Sequence, residues 1–143
     1  MIIKRKYIRK RGKSERSKII AKLDKLISDT VRERDNWTCQ RCGRTNKSKK
    51  VMTCSHFWSR RHIGTRWSLD NCITLCLPCH LYHWESEKQG AYKDFMLKKL
   101  GKDEFLQLEY EATSITKWST IELKMMYISL KEECELELKK KLK

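Results

Sequence analysis

The chain has 143 residues and carries 33 Lys and Arg against 18 Asp and Glu, a net charge of +15. One small domain is expected at this length, and the excess of positive charge favours a polyanionic partner, above all a nucleic acid. No apolar run approaches the roughly 20 residues that a spanning helix needs, and no signal-peptide core opens the sequence. We therefore expect an intracellular protein without a membrane partner.

The N-terminal third is predicted to consist of an arm and a helix. Residues 1–18 hold nine Lys or Arg and one acid, which predicts a basic flexible arm. Over residues 16–34 apolar side chains recur at helical spacing and leave a charged opposite face, which predicts an amphipathic helix. The apolar positions are Ile19, Ile20, Leu23, Leu26, Ile27 and Val31.

The middle of the chain has a different composition and marks the functional module. Residues 37–80 contain the clustered cysteines and three of the four histidines, interleaved with two short β-prone segments at 51–54 and 72–75. We predict a main domain over residues 19–112 with its core at 37–85.

Helices are predicted for the remainder of the chain. Residues 91–100 and 103–112 read as two helices broken at Gly101, and residues 119–142 as a longer one that Ser119 caps. Residues 113–143 then form a C-terminal helical extension. With the two short strands, these helices predict an α+β fold.

Four of the seven cysteines have the spacing of a metal site. Cys39 and Cys42 form one C-x-x-C pair, and Cys76 and Cys79 form the other, with 33 residues between the pairs. Two such pairs can hold one tetrahedral Zn²⁺, and a zinc with four sulfur ligands is closed and therefore structural. Cys54, Cys72 and Cys134 lack this spacing and are predicted to be small core residues.

Three further polar residues stand in register with these cysteines. His56 lies between the pairs, Asn71 follows 15 residues later, and His80 comes directly after Cys79. This order resembles the zinc-containing branch of the HNH endonucleases over residues 37–85. The segments Cys-Ser-His-Phe-Trp-Ser-Arg-Arg at 54–61 and Arg-Trp-Ser-Leu-Asp-Asn at 66–71 are similar to those of the phage NinG or Rap recombination nucleases, as is Tyr-Lys-Asp-Phe-Met-Leu at 92–97.

The resemblance implies a zinc-stapled ββα-metal (HNH) module and a catalytic role for each of the three residues. Phosphodiester hydrolysis needs a base and a divalent cation such as Mg²⁺ or Mn²⁺. A histidine titrates near neutrality, so His56 is the candidate base and His80 the candidate ligand of the catalytic metal. By resemblance, Asn71 braces the loop or orients the base.

One position departs from the family pattern. Many HNH enzymes place Asp or His before the base, whereas this chain has Ser55, a poorer metal ligand. Either His80 holds the metal together with water and phosphate, or the site is impaired. If a helix begins near His80, His83 lies one turn along it and Glu87 two turns along it, and both are weak candidates for further ligands. The alternative interpretation of His83 is an exposed helix residue that binds no metal.

Basic side chains near the base are candidates for DNA contacts. Arg60, Arg61 and Arg66 follow His56 in a loop, and Lys49 and Lys50 precede it. Trp67 can stack at a distorted site. Charge runs are often only solvated faces, so these assignments depend on the nearby histidine.

These observations predict a metal-dependent HNH endonuclease that hydrolyses DNA phosphodiester bonds. The NinG resemblance implies branched recombination intermediates as substrates and a phage-encoded protein acting in the host cytoplasm. The alternative is a non-catalytic zinc-ribbon protein that binds nucleic acid. A homodimer through the C-terminal helices is also predicted, from the apolar stripe of residues 123–142, although the same stripe can pack within one chain.

Overall fold

The computed structural model describes residues 12–84 and 90–140. Four helices and one two-stranded antiparallel sheet make up this part of the chain, so the predicted α+β class is confirmed. In chain order the elements are α1 (Glu15–Arg34), β1 (Met52–His56), β2 (Cys72–Cys76), a π-helical segment (Cys79–Trp84), α2 (Ala91–Leu100), α3 (Lys102–Thr113) and α4 (Thr120–Lys140).

Helix α1 overlaps the last residues of the predicted arm. The Ser14 hydroxyl accepts a hydrogen bond from the Ser17 backbone N–H and so caps the first turn at Glu15. The last four residues assigned to the arm are therefore helical, while residues 1–11 lie outside the described part of the chain. The predicted apolar stripe is buried at Ile19, Leu23, Ile27 and Val31.

Strands β1 and β2 form a hairpin whose two faces carry different chemistry. In the register, His56 lies opposite Cys72 and Met52 lies opposite Cys76. Because side chains alternate along a strand, Cys54, His56, Cys72 and Thr74 share one face. The Thr74 hydroxyl donates to the Val31 carbonyl of α1, so we call this the α1 face.

The other side of the hairpin packs against the π-helical segment and α2. It carries Thr53, Ser55, Ile73 and Leu75, and we call it the α2 face because the Ser55 hydroxyl lies 3.0 Å from the Tyr92 hydroxyl of α2. Cys54 and Cys72 of the α1 face belong to one hydrophobic cluster, and Ile73 and Leu75 of the α2 face belong to another, which also includes Met52 and Cys76 at the end of the hairpin. The hairpin thus divides the core in two.

Helix α4 completes the core on the α1 side. Ser119 and Glu122 exchange hydrogen bonds as a capping box, as the sequence predicts for this helix start. The buried positions Leu123, Leu130 and Cys134 pack with α1 in one hydrophobic cluster. Part of the stripe on which the homodimer prediction rested is therefore used within the chain, whereas Ile128 is 64% exposed, and the dimer stays a prediction. In the described ranges, no helix is long and apolar enough to cross a membrane.

Candidate metal centre and the surroundings of His56

The four paired cysteines converge as the sequence predicts. Cys39 and Cys42 sit on a turn before β1, where Gly43 adopts the positive φ of +74° that favours glycine. Cys76 ends β2 and Cys79 begins the π-helical segment. All four sulfur atoms lie within 4.8 Å of one another.

The spacing of these sulfurs suits a tetrahedral ion. The Sγ atoms of Cys42 and Cys76 are 3.7 Å apart. Zn–S bonds of about 2.3 Å at tetrahedral angles place sulfurs about 3.8 Å apart. None of the four is in a disulfide. The cluster fits a structural metal such as zinc, which would tie the turn before β1 to the end of β2.

His56 ends β1 on the α1 face, and its imidazole is only 7% exposed. Its Nε2 lies 3.0 Å from the Arg66 carbonyl oxygen. Since a carbonyl can only accept, Nε2 carries the proton and Nδ1 carries the lone pair. Burial lowers the pKa of His56 to about 4, and the positive charge of Arg60 adds to the effect. The imidazole is therefore neutral at neutral pH, with a fixed tautomer. A pKa of about 4 also makes it a weaker base than the near-neutral histidine expected from the sequence, because burial disfavours the protonated form.

Asn71 holds the loop that joins the strands. This buried side chain accepts a hydrogen bond from the Trp58 backbone N–H and donates to the carbonyls of Trp58 and Thr65. The Phe57 backbone N–H also donates to the Asn71 carbonyl, next to His56. These are the contacts of a residue that braces a loop, one of the two roles expected for it.

Arg66 and Trp67, which the sequence suggested as DNA contacts, are both hydrogen-bonded to helix α1. The Arg66 guanidinium makes two hydrogen bonds to the Asp24 carboxylate of α1, of 3.0 and 2.7 Å, and the buried Trp67 indole donates to the same group. Burial alone would raise the pKa of Asp24, but the hydrogen bonds from Arg66 and Trp67 lower it. Both side chains therefore anchor the loop on α1. The Arg66 side chain stays 21% exposed, and its contact with DNA remains a prediction.

We expect Asp24→Asn to destabilise the protein because a neutral amide cannot accept all three hydrogen bonds. The loss should be about 1–3 kcal/mol of unfolding free energy, the range for breaking a partly buried charged contact. Urea unfolding of Asp24→Asn beside Asp70→Asn, an exposed carboxylate of the same loop, measures it. Equal midpoints for the two variants would contradict the anchoring role.

The other predicted phosphate contacts are at the surface. Arg60, Arg61 and Lys50 are exposed. Lys49 is also exposed, and its ammonium pairs with Asp29 of α1 at 2.6 Å. Arg60 and Arg61 remain the basic residues best placed to meet DNA beside His56.

His80 lies on the α2 face of the hairpin. The Thr53 hydroxyl donates its single proton to the Leu75 carbonyl, so it accepts from His80 Nδ1, 2.9 Å away. This places the imidazole lone pair on Nε2, the nitrogen that can bind a metal. Ser55 on the same face is fully buried against Tyr92. Ser55 is therefore a poor metal ligand here, and the candidate side chains of His83 and Glu87 lie outside the described residues.

The structure does not bring His56 and His80 to one face. His56 shares the α1 face with Cys54 and Cys72, whereas His80 contacts Thr53 on the opposite side. Among the side chains described, His80 joins no group of three or more close His, Cys, Asp or Glu ligands. A complete protein ligand set for a catalytic metal is therefore not formed by these residues.

The grouping of Cys54 and Cys72 with His56 was missed in the sequence. Both cysteines are buried, as predicted, but their sulfurs lie within 4.8 Å of an imidazole nitrogen. The spacing of Cys54 and His56, two apart on a strand, was a signal for a shared face. The position of Cys72 depends on the register, which the sequence alone does not reveal.

The family model described as "NinG: Bacteriophage Lambda NinG protein" matches residues 3–141. The chain belongs to the NinG family. Searches of curated proteins and of solved structures found no match. The four-cysteine cluster, the hairpin and helices α1 to α4 all lie within the matched range, so the NinG match covers the whole described architecture.

Proposed function

We propose that this NinG-family chain is a metal-dependent DNA endonuclease of the HNH type. The observation that carries the proposal is the state of His56. The Arg66 carbonyl fixes its Nε2–H, so the lone pair stays on Nδ1. A general base needs a vacant nitrogen held in one orientation, and a backbone carbonyl on the other nitrogen supplies that orientation.

Different residues of the chain have different roles in the proposed hydrolysis. His56 Nδ1 takes a proton from the attacking water, and Asn71 holds the loop in which the base is oriented. The exposed Arg60 and Arg61 bind the phosphates on either side of the cleaved bond. A Mg²⁺-type ion, which needs few protein ligands beside water and phosphate, would stabilise charge on the leaving oxygen, and His80 is its proposed ligand. His80 contacts the face of the hairpin opposite to His56, so joint action on one phosphate requires the two side chains to come together when DNA binds.

The substrate proposed is branched DNA formed during recombination, met in the host cytoplasm. The NinG resemblance supports it. So do the exposed Arg60 and Arg61, because basic side chains that bind phosphates recognise the backbone and not the base sequence. Contacts to phosphates are sufficient for an enzyme that selects DNA by its structure.

Nicking of supercoiled plasmid tests the proposal. The full-length, zinc-loaded protein is incubated with Mg²⁺ or Mn²⁺, and with EDTA as the control. We expect nicked and linear products only with a divalent ion. Plasmid and branched DNA that both stay intact under both metals, at protein concentrations that shift the DNA in a gel, would reject the nuclease.

A second candidate is a non-catalytic, zinc-stapled DNA-binding protein. The separation of His56 and His80 onto opposite faces of the hairpin favours it, as does the buried Ser55 at the position where HNH enzymes often have a metal ligand. Under this proposal the same protein binds branched DNA with the same salt dependence but cuts no substrate in any metal.

The basic arm is expected to contribute to DNA affinity under either proposal. Residues 1–11 hold six Lys or Arg, and deleting them spares the Ser14 cap of α1. Each lost phosphate contact removes about 0.9 from the slope of log affinity against log salt for duplex DNA, so the slope should fall by up to about 5. Fluorescence anisotropy from low to moderate salt measures both slopes. Identical slopes would show that the arm stays off the DNA.

A further inference from the structure

The α1 face of the hairpin carries a second cluster of metal-binding side chains. Cys54 and His56 are two residues apart on β1, and Cys72 lies directly opposite His56 on β2. One ligand atom from each lies within 4.8 Å of the other two. All three side chains are buried, with 8%, 7% and 0% of their surface exposed.

This cluster is distinct from the four-cysteine cluster. Met52 pairs with Cys76 at one end of the hairpin, and His56 pairs with Cys72 at the other, four residues along β1. At about 3.3 Å per residue the two ends are roughly 13 Å apart, too far for one ion. The hairpin therefore offers one set of ligands at each end.

The donor set selects the kind of ion. Two thiols and an imidazole are soft to intermediate donors, which suit Zn²⁺ and exclude Mg²⁺ and Ca²⁺. Three such protein ligands with a fourth position left to water or another oxygen make a recognised zinc arrangement. Two thiolates also balance the charge of a divalent ion, so the filled site is neutral and can be buried.

The hydrogen bonding of His56 agrees with a metal ligand. Metal-binding histidines almost always donate their second ring N–H to a carboxylate or a backbone carbonyl, which fixes the tautomer. His56 Nε2–H donates to the Arg66 carbonyl in this way, so the Nδ1 lone pair can bind a metal. Arg66 is itself fixed by Asp24 of α1, which makes the arrangement rigid.

We propose that Cys54, His56 and Cys72 form a second metal site that binds Zn²⁺. On binding, each thiol loses its proton and forms a Zn–S bond, and the imidazole donates its lone pair, so two protons leave for each ion bound. The chain then binds two zinc ions, one in the four-cysteine cluster and one in this site.

The second site has a regulatory consequence that rests on the proposed nuclease function. An imidazole bound to zinc through its lone pair cannot also accept a proton from water. Filling the second site would therefore switch off the base, and cleavage should fall as free zinc rises above the level that fills the four-cysteine cluster.

Metal counting on the full-length chain tests the site without reference to cleavage. Reduced protein is titrated with Zn²⁺ alone, and bound metal is counted by native mass spectrometry and elemental analysis. We expect two equivalents for the parent and one for Cys72→Ser. Cys134→Ser, a buried thiol between α1 and α4, is the matched control and should keep two. A parent that saturates at one equivalent would overturn the proposal, as would an undiminished count in Cys72→Ser.

A spectroscopic titration guards against a variant that fails to fold. Co²⁺ replaces Zn²⁺ in the folded parent and in Cys54→Ser, and the sulfur-to-cobalt charge-transfer band is followed against equivalents added. The parent band should grow through two equivalents, and the second step should be lost in Cys54→Ser. A single step in the parent contradicts the second site. Because neither titration contains DNA, an inactive protein with two bound ions would reject the nuclease and retain the site.

Discussion

His56→Ala is expected to abolish DNA cleavage while leaving the zinc of the four-cysteine cluster in place and DNA affinity nearly unchanged. The variant removes the lone pair that we propose accepts the water proton, but it leaves Arg60 and Arg61 in place. The expected loss is about 10²- to 10⁴-fold, the range for a general base. Single-turnover cleavage at saturating DNA isolates the chemical step, and anisotropy with the same DNA measures affinity in parallel.

A second histidine of the same loop is the matched control for His56. His62 Nδ1 lies 2.7 Å from the Ala112 carbonyl oxygen and so joins the loop to the end of α3. His62→Ala should stay within a few-fold of the parent rate. The base assignment is rejected if His56→Ala also cuts within a few-fold of the parent, or if both variants lose activity equally together with their folded structure.

Cys39→Ser is expected to have the largest effect on folding. A zinc ion in the four-cysteine cluster would join the turn before β1 to the end of β2, and zinc in small metal-binding domains contributes about 10–16 kcal/mol of binding free energy at pH 7. Loss of one of four thiolates should release the ion and unfold or aggregate the domain, with activity lost as a consequence. Circular dichroism and zinc analysis measure the two effects.

Cys134→Ser again provides the control, because Cys134 is a buried thiol that belongs to neither cysteine group. It should keep its zinc and its fold with only a modest loss of stability. A folded, active Cys39→Ser protein without zinc in the four-cysteine cluster would contradict the structural role of that cluster.

Local patterns were sufficient for much of the fold and for the zinc ligands. The apolar spacing in α1, the glycine between α2 and α3, and the Ser119 cap of α4 are short-range signals, and the helices lie where those signals place them. The C-x-x-C pairs are likewise local, since each pair needs only one turn to present two sulfurs. Their meeting was predicted because one ion needs both pairs.

The features that the sequence could not predict depend on contacts between residues far apart in the chain. Arg66 is held by Asp24, 42 residues earlier, and a basic residue beside the candidate base gives no sign of such a partner. The faces of His56 and His80 depend on where each segment packs across the hairpin. The stripe of α4 fits a helix of the same chain as well as a second copy, and only the structure shows that Leu123 and Leu130 are buried against α1.

Cleavage of a synthetic four-way junction tests the central claim most directly. The full-length protein with its four-cysteine cluster loaded is mixed in excess with the end-labelled junction, and with a linear duplex of the same sequence, in Mg²⁺, Mn²⁺ or EDTA. The account predicts metal-dependent strand cuts near the branch point, fewer cuts in the linear duplex, and none with His56→Ala. A junction that is bound tightly but stays intact in both metals would contradict it and leave a zinc-stapled DNA-binding protein.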